Sequence, residues 1–222
     1  MILDIVWLPR LLSNHHWAAY LWVICLVCLV IAKYISESGF FEYLSIFSND
    51  KYLKSNRENK LSINWFLVVL YLLNLIVLSF VLLLIADYLD LADKLDFVHY
   101  IKIFTFLSTF LLSKQIIEKI VAISFDIEEV STQYNFHKLS YQTYVGVLLL
   151  PVTAIVYYIE GSSDFWLAFL VIYAVFLIVV SYFKTTQLHQ NWLFSRIFYF
   201  ILYLCTLEIL PFYFIIYWLK KI

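Results

Sequence analysis

The sequence predicts an all-α polytopic membrane protein: one domain over residues 1–222, with six transmembrane helices and a short interfacial helix. Three observations predict it. First, 64% of the residues are apolar and 14% charged, against roughly 45–50% and 25% in soluble domains, so lipid is the main solvent of this chain. Second, apolar stretches near the roughly 20 residues that a bilayer crossing takes recur along the sequence. They lie at about 17–32, 62–86, 97–118, 141–159, 165–183 and 197–219. Third, only three glycines and three prolines occur, which leaves no room for a glycine-rich phosphate loop or for several broken helices.

Residues 1–16 are apolar but interrupted by Pro9, and they lack the basic start and small-residue cleavage site of a secretory signal. They read as an uncleaved surface segment. In the first span, Trp17, Tyr20 and Trp22 suit one headgroup region and Lys33 the other. Phe40, Phe41, Tyr43, Leu44, Ile46 and Phe47 then form an apolar face beside Glu37, Glu42 and Asp50, the pattern of an interfacial helix over about 36–47. A polar loop with Lys51, Lys54, Arg57 and Lys60 leads into the surest span, uncharged from Leu61 to Ala86. The next turn holds Asp87, Asp90, Asp93 and Asp96, whose spacing lacks the central glycine and closing glutamate of a calcium loop, so it reads as a solvated turn.

The third span carries His99 and Lys102 near one end and continues as a helical pattern through Lys114, Glu118 and Lys119. A helix from 97 to about 125 is about 43 Å long and emerges from the bilayer. Lys114 and Glu118 are four apart and are expected to pair. The fourth span has Pro151 near its centre, the position of a helix kink. A short turn over 160–164 makes spans four and five antiparallel neighbours.

The last span holds the main candidate site. Eleven uncharged residues flank Glu208 on each side, which puts the acid near the bilayer midplane. A central acidic residue costs roughly 2.5–3.5 kcal/mol on insertion scales, so it marks a site by default. Pro211 places a second kink one turn from the acid. Asn74 lies at the same depth in the second span, and a hydrogen bond between Asn74 and Glu208 is the simplest arrangement that satisfies both. Lys51, Lys54, Arg57, Lys114, Glu118 and Lys119 form the expected partner-docking surface.

Catalytic and cofactor signatures are lacking. There is no H-E-x-x-H, no G-x-S-x-G and no dinucleotide turn, and nothing specific supports an enzyme. Glu128 and Glu129 form an acidic pair without the arginine and histidine motifs that an intramembrane prenyl-type protease requires. Cys25 and Cys28 have no further ligands at their depth and read as packing residues. No metal, cofactor or nucleic acid is expected; the net charge is −1.

The run Leu202-Tyr-Leu-Cys-Thr-Leu-Glu208-Ile-Leu-Pro211-Phe-Tyr-Phe resembles the family catalogued as domain of unknown function 4271. So do the earlier segments Ser48-Asn-Asp50-Lys-Tyr-Leu-Lys54, Ile103-Phe-Thr-Phe-Leu and Ser140-Tyr-Gln-Thr-Tyr144. The resemblance covers nearly the whole chain and implies a single domain in the inner membrane of Gram-negative bacteria. It implies no activity.

Segments after the first, third and fifth spans hold ten lysines and arginines against five on the other side. By the positive-inside rule both termini are then periplasmic. The functional expectation is a non-catalytic accessory subunit of an inner-membrane complex, in protein export, insertion or envelope assembly. Its partners would be the bilayer and another integral membrane protein such as the translocation machinery. The alternative is a small proton- or ion-linked transporter that uses Glu208.

Overall fold

The computed structural model describes residues 16–46, 65–124, 128–159 and 164–187, and they form helices joined by turns. We number them α1 (His16–Ile35), α2 (Glu37–Leu44), α3 (Trp65–Tyr88), α4 (Phe97–Ser124), α5 (Glu128–Tyr158) and α6 (Asp164–Gln187). Four of them, α1, α3, α6 and the Tyr134–Tyr158 part of α5, are long and apolar enough to cross a membrane. The expected sixth span, with Glu208 and Pro211, and the basic loop with Lys51, Lys54 and Arg57 lie outside the described residues.

α3 is apolar around its whole circumference, so it must be surrounded by protein or lipid. Of its most apolar window 56% is buried, against 22% for α1 and for α6, which makes α3 the centre of the bundle. Its most extensive interface is with α5, and α6 packs on α5 as the short connection predicts. α1 and α4 also flank α3. α1 and α6 turn large apolar residues outward, among them Val23, Leu26, Val30, Ile172, Val175 and Val179. Exposed branched side chains along a whole helix face match acyl chains as solvent.

The bundle has two chemically distinct ends. At one, Trp17 of α1 meets Phe80, Phe97, Tyr100 and Tyr157, gathering α1, α3, α4 and α5 beside the aspartate turn. At the other, Ala32, Tyr43, Phe66, Tyr141 and Tyr144 form a second core cluster. Lys33 and Lys184 close the last turns of α1 and α6 at this second end. α1, α4 and α6 therefore run from the acidic end to the basic end, and α3 and α5 run back.

The aspartate turn is more ordered than a solvated acidic turn. Asp87 Oδ1 accepts the Lys94 N–H at 2.9 Å, and Asp93 Oδ1 accepts the Leu95 N–H at 2.8 Å. Asp96 Oδ1 accepts the Val98 N–H at 2.9 Å, capping the start of α4. Asp90 sits at φ 54, a left-handed conformation that a short polar side chain tolerates. Asp87, Asp93 and Asp96 thus serve the backbone with their carboxylates. Trp17 Nε1 donates to Leu95 O at 3.1 Å and the Tyr157 hydroxyl to Lys94 O at 3.2 Å, which ties the turn to α1 and α5.

The helix that holds the expected fourth span, 141–159, starts at Glu128, more than three turns before that stretch. Residues 128–140 lack an apolar run, yet they contain good helix formers and their last turn pairs with α4. Pro151 lies inside α5. Its missing N–H leaves the Val147 carbonyl without its usual donor. Thr153 Oγ1 donates to Leu149 O and Leu150 O, each at 3.0 Å, a type of back-bonding that bends helices.

Candidate functional site

Asn74 is placed by α3 at the centre of the bundle and is 1% exposed. It faces Gly146 of α5. A Cβ at Gly146 would stand 2.9 Å from both Cα and Cβ of Asn74 and would also meet its Oδ1. Only glycine lets the two backbones approach this closely. Both carboxamide atoms of Asn74 lack a hydrogen-bond partner among the described residues, as does the Tyr71 hydroxyl one turn away. The amide and its glycine form a polar point in a close helix crossing. Gly146 carried no signal in the sequence, because nothing local reveals which helix face it presents.

A second polar site joins α4 to α5 at the basic end. Glu118 is 5% exposed, and its Oε1 accepts from Lys138 Nζ at 3.2 Å. Lys138 also lies over the Tyr134 ring, 5.9 Å from its centroid. Of the residues expected to dock a partner, Glu118 is therefore turned into the bundle, while Lys119 is exposed and Lys114 half-buried. The Glu118–Lys138 pair spans twenty positions, so helical spacing pointed to Lys114 instead.

α2 is held to the basic end by two tyrosines. The Tyr43 hydroxyl and Thr143 Oγ1 lie 2.9 Å apart, and the Tyr144 hydroxyl donates to Leu44 O at 2.9 Å. Phe41 stays 59% exposed, with Lys33 Nζ 5.7 Å above its ring. This leaves α2 with one face packed and one apolar face open.

Cys25 is fully buried in the main core cluster, and Cys28 is half-buried beside it. No group of three or more His, Cys, Asp or Glu side chains arranged to hold a metal occurs among the described residues. A cavity of about 20 Å³ lies between Asp87, Lys94, Val156 and Trp166. That is room for one water.

No curated protein and no solved structure matches the chain. A family model described as "Domain of unknown function (DUF4271)" matches residues 18–219, nearly the whole chain, and the protein belongs to that family.

Proposed function

We propose that this protein is a non-catalytic accessory subunit of a complex in the inner membrane of a Gram-negative bacterium, serving protein export, insertion or envelope assembly. One observation carries the reading: at three points of the described bundle, polar side chains tie its elements to one another. Trp17 and Tyr157 hold the aspartate turn, Tyr43 and Tyr144 hold α2, and Glu118 with Lys138 holds α4 to α5. Groups used as ties build a rigid body with defined outer faces, which is what a subunit needs in order to dock. Bonds of this kind contribute about 0.6–2 kcal/mol each between membrane helices.

The same proposal includes six crossings. α4 runs from the Trp17 end to the Glu118–Lys138 end beside α3 and α5. If its neighbours cross, it crosses with them, and 197–219 follows as the sixth span. α2 then lies in the interface with Phe41 toward the acyl chains. The positive-inside rule, applied to Lys33, Lys119, Lys138 and Lys184, supports a cytoplasmic basic end, a periplasmic aspartate turn and periplasmic termini.

The test is purification of tagged protein from its native membrane, at native expression level, in mild detergent. A larger integral membrane protein retained in stoichiometric amount supports the reading. Recovery of the free protein alone removes it and leaves the transporter that uses Glu208 as the next hypothesis.

A further inference from the structure

We propose that the cavity between α3, α5 and α6 at the acidic end seats the headgroup of a phosphatidylethanolamine-type lipid, with Asp87 on its ammonium and Lys94 on its phosphate. The inference rests on the chain being a membrane protein, and it does not depend on the accessory-subunit assignment.

One set of groups at the cavity favours a cation. α3 ends at Tyr88 and α5 at Tyr158, so the negative ends of two helix dipoles lie beside it. The Asp87 carboxylate lines it and is held in place by its bond from the Lys94 N–H at 2.9 Å. Tyr88 of α3 and Trp166 of α6 line it as well, 51% and 40% exposed, and the faces of such rings attract cations. Size narrows the choice. About 20 Å³ admits a group as large as one water, which a primary ammonium is and a trimethylammonium is not.

The second charge narrows it further. Lys94 lines the same cavity, is half-buried and makes no ion pair among the described residues. A lone cation on Asp87 would meet the charge of Lys94, and a lone anion on Lys94 would meet that of Asp87. A ligand with an ammonium and an anion joined by a short link satisfies both, and the ethanolamine phosphate headgroup is built in that way.

Depth identifies the ligand as a lipid. Tyrosine and tryptophan are the side chains of the headgroup level, so the cavity opens where headgroups lie. Leu84 and Val156, 4% and 7% exposed, form its inner wall. One turn deeper, on the faces that carry Trp166 and Ile159, are Phe169 and Ile155, both exposed. They lead from the cavity along α6 and α5 toward the membrane interior, a path for acyl chains that a free phosphate or a free amine would leave bare.

The experiment titrates the full chain in a mild neutral detergent with dihexanoyl phosphatidylethanolamine and follows Tm. The dihexanoyl forms of phosphatidylcholine and phosphatidylglycerol serve as comparisons. Asp87→Asn keeps the oxygen that accepts the Lys94 N–H and removes the charge; Lys94→Gln removes the ammonium and keeps the backbone carbonyl that Tyr157 bonds. Lys33→Gln alters a cation at the other end of the bundle, and the circular dichroism and Tm of each variant without lipid report its folding. The expected result is a saturable rise in Tm with phosphatidylethanolamine in the wild type and in Lys33→Gln. Half-saturation should need about tenfold more lipid, or more, in Asp87→Asn and in Lys94→Gln, the loss of one charge-assisted bond. Phosphatidylcholine and phosphatidylglycerol should act as weakly on the wild type. An equal response to the three lipids overturns the inference, as does a wild-type response in folded Asp87→Asn and Lys94→Gln. No response of the wild type to phosphatidylethanolamine overturns it too, and the cavity then holds a water only.

Discussion

Asn74 and Gly146 meet where α3 crosses α5, so closely that a Cβ at position 146 would lie 2.9 Å from the Asn74 Cα. The contact is to backbone as well as side chain, so a rotamer change at Asn74 does not relieve it. Gly146→Ala is therefore expected to push the two central helices apart, and Gly146→Leu to do so further. Overpacking of this kind costs about 1–3 kcal/mol. Thermal unfolding in detergent, followed by circular dichroism, should show Tm falling in the order wild type, alanine, leucine. An unchanged Tm for Gly146→Leu would mean that the helices do not cross at this point.

Asn74 makes a separate prediction because its carboxamide is buried without a partner among the described residues. A buried polar group left unsatisfied costs about 1–3 kcal/mol, and an apolar replacement of similar shape is near neutral or stabilising. Asn74→Leu should hold or raise Tm. A fall equivalent to more than about 1 kcal/mol would show that the amide has a bonded partner, and Glu208 would be the first to examine by a double-mutant cycle.

How far the sequence revealed this architecture depends on the range of the interaction concerned. α3 and α6 announce themselves through unbroken apolar runs, since lipid solvation requires nothing beyond local composition. The early start of α5 is hidden because residues 128–140 are polar, and their helicity continues into a long-range pair, Lys138 with Glu118. The aspartates were visible but their role was not: turn chemistry at Asp90 and capping at Asp96 need the backbone conformation to be known. Asn74 was legible as a polar residue at depth, whereas its glycine neighbour is 72 positions away and silent in one sequence. Glu208 and Pro211 lie outside the described residues.

The Glu118–Lys138 pair should behave as a buried pair, with side chains 5% and 13% exposed. Removing Lys138 leaves the buried Glu118 carboxylate without its ion-pair partner and costs about 3–5 kcal/mol, while replacing both with apolar residues of similar volume is often neutral. Lys138→Leu alone should lower Tm sharply, and the double variant should recover most of the loss. Little recovery in the double variant would show that each side chain has its own independent role. Raising the ionic strength should change the wild-type Tm little, because burial shields the pair from screening.

Tyr43 and Tyr144 secure α2 through bonds of 2.9 Å to Thr143 and to the Leu44 carbonyl. Tyr43→Phe keeps its ring against Phe66 and Tyr144→Phe keeps its ring against Tyr43, and each loses the bond named above, for a loss of about 0.5–1.5 kcal/mol. The loss should be local: hydrogen exchange of residues 37–46 accelerates while exchange in α3 stays as in the wild type. Uniform acceleration throughout the bundle would show instead that α2 is part of the global folding unit.

The charge asymmetry of the two ends makes the proposed topology testable at single positions. Leu89 in the aspartate turn is 53% exposed, and Lys119 near the basic end is also exposed. In a chain with Cys25, Cys28 and Cys205 replaced by serine, a membrane-impermeant thiol reagent should label Leu89→Cys once the outer membrane is opened. It should reach Lys119→Cys only after the inner membrane is breached as well. The reverse pattern would invert the whole bundle. Labelling of both positions from the same side would be more informative still, because Leu89 precedes α4 and Lys119 lies near its end. In that case α4 lies along the membrane and the spans after it change direction.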